Sequence, residues 1–171
     1  MSKEGAQAFG GPITPSQRVL HSRGFTLVEL VMVIGVIGIL AVMAVPAFLS
    51  YYQAAGLKAG AQQFATLINQ AREIAIKQND SVCVKLPSAT QMTYTLSSTC
   101  SGTAWVGAGT DAAGLINLPT GITVAVSPPS ATPVFNYVGS ALPAATYTLT
   151  NTQTGNTLTV SVAASGRVTI P

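Results

Sequence analysis

The sequence predicts an α+β fold, in which one long N-terminal helix carries an antiparallel β-sheet head. Three observations predict it. Leu30 to Leu49 are twenty consecutive positions without a charge or an amide side chain. Leu57, Ala61, Phe64, Ile68, Ala71 and Ala75 then recur at spacings of 4, 3, 4, 3 and 4, the period of a single helix face. After Asn79 that period stops, and short alternating, β-branched runs take over, as strands half-buried against a core require.

Composition agrees with a chain that is not a free-standing soluble domain. Only 8% of its 171 residues are charged, against about 25% for an ordinary soluble domain, and the mean hydropathy is +0.45. Such a chain lies partly in lipid or packs against copies of itself. The net charge is +3. Two of those units come from residues 1–24, where Lys3, Arg18 and Arg23 face only Glu4, and the remainder balances to +1. The basic character therefore belongs to the leader and does not imply a nucleic-acid surface.

Residues 1–24 are rich in Gly, Ser, Gln and Pro without apolar periodicity, and read as an unstructured leader. Residues 25–50 form the apolar segment. At about 1.5 Å per residue, its uncharged stretch spans about 30 Å, the thickness of the hydrocarbon layer. The basic residues ahead of it place the N-terminus on the cytoplasmic side and the rest of the chain beyond the inner membrane. Gly35 and Gly38 weaken the segment as a helix, and Pro46 removes one backbone donor.

Residues 51–79 form an amphipathic helix. Lys58, Gln62, Asn69, Glu73 and Lys77 lie opposite the apolar stripe, and Ile76 alone falls on the polar side. Glu73 and Lys77 stand at i and i+4 in the favourable order. With no strong stop between the two segments, the expectation is one helix of about 50 residues, greasy all round in its first half and striped in its second.

Residues 80–171 form the head. Runs at 81–86, 91–96, 115–118, 122–127, 134–138, 146–150, 157–163 and 167–170 predict one antiparallel sheet of six to eight strands. One face of that sheet covers the helix stripe. "TLTVSVAASGRVTI" reads as a closing hairpin with Ser165-Gly166 in its turn. Residues 97–114, rich in Gly, Ser, Thr and Ala around the lone Trp105, form a loop excursion. Cys83 and Cys100 are the two cysteines of a chain that leaves the cytoplasm. An even count there predicts a disulfide, stabilising by roughly 3 kcal/mol in the chain-entropy model. The alternative is a pair of buried free thiols.

Chemistry-bearing residues are few. The one histidine, His21, lies in the leader, and the remaining acids are Glu29, Glu73, Asp80 and Asp111. No nucleophile–base pair, paired carboxylates, metal-ligand cluster or phosphate-cradling loop emerges. The sequence therefore points to no catalytic residue, no cofactor and no metal. Arg72 is expected at the helix–sheet border, while Tyr94, Trp105 and Tyr137 are candidates for a contact surface or for the core.

The informative stretch is "RGFTLVELVMVIGVIGILAVMAVPAF", which places one acid, Glu29, near the start of an apolar run. An ionised Glu in a bilayer costs several kcal/mol unless something offsets it. Three readings compete. An uncleaved signal anchor would leave Glu29 in a first helical turn, favourable by about 0.3–1 kcal/mol. A secretory signal peptide could be cut at Val42-Met43-Ala44 and release a periplasmic domain. A cut between Gly24 and Phe25 would create an α-amino group four residues from Glu29, mostly cationic at pH 7. That amine could neutralise the Glu of its own chain or of a staggered neighbour, and so set the axial register of assembly.

The same stretch resembles the class III signal of type IV pilins and type II secretion pseudopilins. The resemblance implies that a prepilin peptidase cuts after Gly24 and N-methylates Phe25, and that Glu29 is the acid of the assembly register. It also implies that Gly38 and Pro46 are the positions between which related helices can lose hydrogen bonding in filaments. "FATLINQAREIAIKQNDSVCV" and "LTVSVAASGRVTI" are similar to the helix-to-strand passage and C-terminal strands of the GspH/FimT group. A pilin-like fold follows, and with it a minor pseudopilin or minor type IV pilin that initiates or caps a filament. Its implied partners are other pilin subunits, the prepilin peptidase and an inner-membrane assembly platform. A FimT-like role in DNA uptake is an alternative, although the C-terminal strand offers Arg167 alone, and one cation gives little non-specific affinity. A plain signal-anchored periplasmic domain is the other.

Overall fold

The structure is a computed structural model that describes residues 24–171. Most of the expected leader therefore lies outside the described residues. The chain divides into two compact units, the first ending at Val42 and the second running from Met43 to Pro171.

In the first unit, residues 24–26 are non-helical and α1 begins at Leu27. Every described side chain of this unit is exposed. Helix α1 runs Leu27–Gln78, 52 residues, through Gly35, Gly38 and Pro46 without interruption, and it is long and apolar enough to cross a membrane.

In the second unit the stripe read from spacing is the buried face of α1. Ala61, Phe64, Ile68, Ala71 and Ala75 are wholly buried, and Leu57 and Ile74 nearly so. Ile76, the exception, is exposed. The helix ends on Asn79, whose φ of 51° is left-handed. Asn79 N–H donates to the Ile76 carbonyl and Asp80 N–H to the Ala75 carbonyl. This paired closure satisfies two of the last carbonyls, and Asn tolerates the left-handed conformation it needs.

The head corrects the expectation of one sheet. Nine short strands form two antiparallel sheets. They are β1 (Val82–Ser88), β2 (Gln91–Leu96), β3 (Leu115–Asn117), β4 (Ile122–Ser127), β5 (Val134–Phe135), β6 (Ala141–Leu142), β7 (Ala145–Asn151), β8 (Thr157–Val162) and β9 (Val168–Thr169). The first sheet runs β3-β2-β1-β5-β6 and the second β4-β7-β8-β9. Alternation along each strand turns Val82, Val84, Met92 and Tyr94 of one sheet, and Val124, Tyr147, Leu149 and Val160 of the other, into the core they share with the helix stripe. Two aromatic residues tie α1 to both sheets. Tyr94 Oη donates to the Leu67 carbonyl at 2.7 Å, and the Phe64 and Tyr147 rings meet edge to face at 4.9 Å. Backbone hydrogen bonds from Val124 to Ala89 and from Ala141 to Ala164 join the sheets at two corners.

The expected closing hairpin is β8–β9, pairing Ser161 with Thr169 and Val162 with Val168. Its turn needs Gly166, at φ 76°. A Cβ there would meet the Gly139 carbonyl oxygen of the neighbouring turn.

The excursion at 97–114 is an irregular loop built onto β2. Trp105 N–H donates to the Tyr94 carbonyl and Thr93 Oγ1 to the Gly114 carbonyl, while Gln70 of α1 holds the Ala108 carbonyl. Cys83 and Cys100 are bonded, with Cα atoms 5.2 Å apart. Cys83, Thr93 and Thr95 occupy the face of the first sheet away from its core side chains, and all three are buried.

Candidate functional site

The candidate site begins where the helix begins. Gly24 and Phe25 precede α1 directly, and Phe25 is 77% exposed. Thr26 caps the helix, its Oγ1 accepting from Glu29 N–H at 3.2 Å and its carbonyl accepting from Leu30 N–H. Thr26-Leu-Val-Glu29 thus has the spacing of a capping box, in which a hydroxyl and a carboxylate serve opposite ends of the first turn. Thr26 is invisible to a reading by hydropathy, yet the T-x-x-E spacing carries the signal. The cap begins the helix so that Glu29 lies in its first turn, five residues after Gly24. The ion pair found among the described residues lies elsewhere, between exposed Lys77 and Glu73 at 3.4 Å.

From Leu27 to Tyr52 the large apolar side chains are bare. Met32, Val42 and Met43 are each more than 70% exposed. A soluble monomer rarely leaves a contiguous apolar surface of this extent in water, so this one is covered by lipid or by other chains. Gly38 and Pro46 sit in this bare stretch, within helix.

The remaining predicted residues scatter. Cys83 and Cys100 join on the head. Arg72 is half-buried, its Nε beneath the turns that hold Gly139 and Gly166, which is the border position expected of it. Tyr94 belongs to the core, Trp105 leans on it with ring centroids 6.1 Å apart, and Tyr137 is 59% exposed. Burial pushes the Tyr94 and Tyr147 hydroxyls well above the ordinary tyrosine range. Among the described residues no cluster of three or more His, Cys, Asp or Glu could hold a metal. Arg167 is exposed just before β9.

The site is thus a bare apolar helix that starts at a capped acid. Two family models match the chain. Residues 20–45 fit the prokaryotic N-terminal methylation motif, and residues 60–166 fit the type II transport protein GspH. The chain belongs to the GspH family. GspH-family proteins are structural pseudopilin subunits, so this chain is a subunit and not an enzyme. Membership implies other pilin subunits and the prepilin peptidase as partners, and the motif with its apolar helix fits an inner-membrane anchor.

Solved structures share the GspH-type fold. The type IV minor pilin FimU of Pseudomonas aeruginosa superimposes with a TM-score of 0.52 at 14% identity, over 71% of this chain and 92% of FimU. The minor pseudopilin EpsH of the Vibrio cholerae type II secretion system does so with a TM-score of 0.52 at 14% identity, over 68% of this chain and 93% of EpsH. No curated protein matches in sequence.

Proposed function

We propose that this GspH-family subunit is cut between Gly24 and Phe25, methylated on Phe25, and held in the inner membrane by residues 25–50 with the head on the periplasmic side. It then enters a type II secretion pseudopilus or type IV pilus as a minor subunit that initiates or caps the filament. Residues 51–79 carry the head, residues 80–171, and Gly38 and Pro46 are where the helix loosens during packing. The inner-membrane assembly platform is the further partner.

One observation carries the reading: Glu29 stands in the capped first turn of a bare apolar helix, five residues after Gly24. In a bilayer or a filament core that carboxylate needs a cation, and the amine freed at Phe25 is the nearest that processing can create. If the amine belongs to the neighbouring subunit, the pair sets the stagger between chains.

Intact mass of the protein recovered from membranes tests the processing step, with cleavage before Phe25 plus one methyl group as the expected result. Glu29→Ala should insert and be cut normally, yet enter filaments about tenfold less or worse, because an unpaired charge in an apolar core is penalised by several kcal/mol. Normal incorporation of that variant would remove the register argument.

A further inference from the structure

Of the two arginines among the described residues, Arg167 is exposed and Arg72 is half-buried. The fold makes room for Arg72. Gly139 and Gly166 lie over it, both with left-handed φ, 85° and 76°. A Cβ at Gly139 would come within 2.7 Å of the Arg72 Nε, and one at Gly166 within 3.3 Å. Yet that Nε is buried without a hydrogen-bond partner, and among the described residues Arg72 makes no hydrogen bond or ion pair. Burying a donor in that state costs stability, so folding alone does not explain a cation here. The terminal nitrogens are not shut in as Nε is. The guanidinium is therefore open to an end-on approach, the geometry in which it takes a carboxylate by two parallel hydrogen bonds.

The chain has no idle acid to offer it. Beyond residue 50 the acids are Glu73, Asp80 and Asp111. Glu73 pairs with Lys77 at 3.4 Å. Asp80 Oδ1 accepts from Ser81 N–H, and Asp111 Oδ1 accepts from Ala113 N–H and Leu115 N–H. A second copy would bring the same three acids in the same engaged state, so charge complementarity favours a partner with a different sequence.

The surroundings of Arg72 are apolar and exposed. Ile76 follows it by one helical turn and lies beside Gly139, while Tyr137 and Val138 precede Gly139 in the same turn, and all three are exposed. Asn136 Oδ1 holds that turn by accepting from Val138 N–H and Ser140 N–H. An arginine framed by a tyrosine and aliphatic side chains has the composition of an interface centre, where the frame keeps water from the charge. We infer that Arg72 anchors a docking surface, its guanidinium receiving the carboxylate of an Asp or Glu on a different subunit of the filament, with Ile76, Tyr137 and Val138 packed around the pair. The inference rests on the minor-subunit reading, in which the neighbours differ from this chain, and adds the surface and the chemistry of one neighbour.

The test uses the full chain in the membranes of the cell that makes it, with a benzophenone amino acid in place of Val138. Irradiation is expected to join it to another pilin-type subunit, at a position that peptide mass spectrometry maps to within a few residues of an Asp or Glu. Arg72→Met should lower that product about tenfold or more. It should leave the urea midpoint of the head unchanged or higher, because it removes a buried donor that lacks a partner. Neutralising the mapped acid to its amide should lower the product by a similar factor, and combining the two changes should lower it no further. An adduct to a second copy, to a protein that is not a filament subunit, or to a segment without an acid would overturn the inference. So would an Arg72→Met chain that docks normally or melts early, or a further fall in the combined variant. Intact mass of the same samples reports processing. A processed chain without the adduct defeats this inference alone, whereas an unprocessed chain defeats the filament reading.

Discussion

Two buried tyrosines with similar surroundings have opposite prospects on losing their hydroxyls. Tyr94 Oη donates to the Leu67 carbonyl, whereas Tyr147 Oη is buried without a partner among the described residues. Tyr94→Phe should lower stability by about 1 kcal/mol, and Tyr147→Phe should be neutral or slightly stabilising, read as shifts in the urea midpoint at constant slope. The glycines divide similarly. Gly166→Ala combines a left-handed φ with a Cβ that lands on the Gly139 carbonyl, and should cost about 3 kcal/mol. Gly155→Ala, at φ 71° in open space, should cost about 1 kcal/mol. If the two variants melted alike, the packing of one turn on the other would be wrong. None of this is legible from one sequence, because a Gly in a turn looks the same whether or not a second turn lies on it.

The elements differ in how much local pattern they carry. The stripe from Leu57 to Ala75 was readable because a helix repeats its face every three or four residues, and a sustained run of such spacings has no other explanation. The polar exception, Ile76, was readable for the same reason. The bounds of β2 and β4 match the alternating runs to the residue, although burial alternates only in β4, since Met92 to Thr95 of β2 are all buried. β6 escapes because two residues between Ser140 and Pro143 hold no period. The division into two sheets escapes because alternation fixes a strand's inner face and says nothing about its neighbours, as when β1 finds β5 some fifty residues later. The bonded cysteines were readable from count and compartment, but the sheet face they cover was not. Replacing Cys83 and Cys100 together with Ala should cost about 3 kcal/mol. Limited proteolysis should then cut first within 97–114, while α1 and β7–β8 remain protected.

At the scale of the whole head, α1 is held from two sides, by Tyr94 of one sheet and Tyr147 of the other. Burial keeps both hydroxyls protonated to higher pH in the folded protein than in the unfolded chain. Above about pH 10, where a free tyrosine ionises, the native state therefore binds more protons, and stability falls as pH rises. Below that range the contribution is complete and flat. Urea midpoints measured from pH 8 to 11.5 should hold steady and then decline, with both sheets melting in one transition because both grip the same helix. The Tyr94→Phe, Tyr147→Phe double variant should lose most of the decline. The candidate site was legible at this scale too, since a lone acid before twenty uncharged residues is an energetic anomaly wherever it occurs.

The Cys83–Cys100 link implies an order of manufacture. Cys83 is fully buried in the finished head and Cys100 nearly so, so small-molecule or enzymatic oxidants can reach the thiols only while β1 is still uncovered. On the proposed periplasmic placement of the head, a cell short of a thiol oxidase should therefore accumulate reduced heads whose 97–114 loop hangs open, and should run low on filaments.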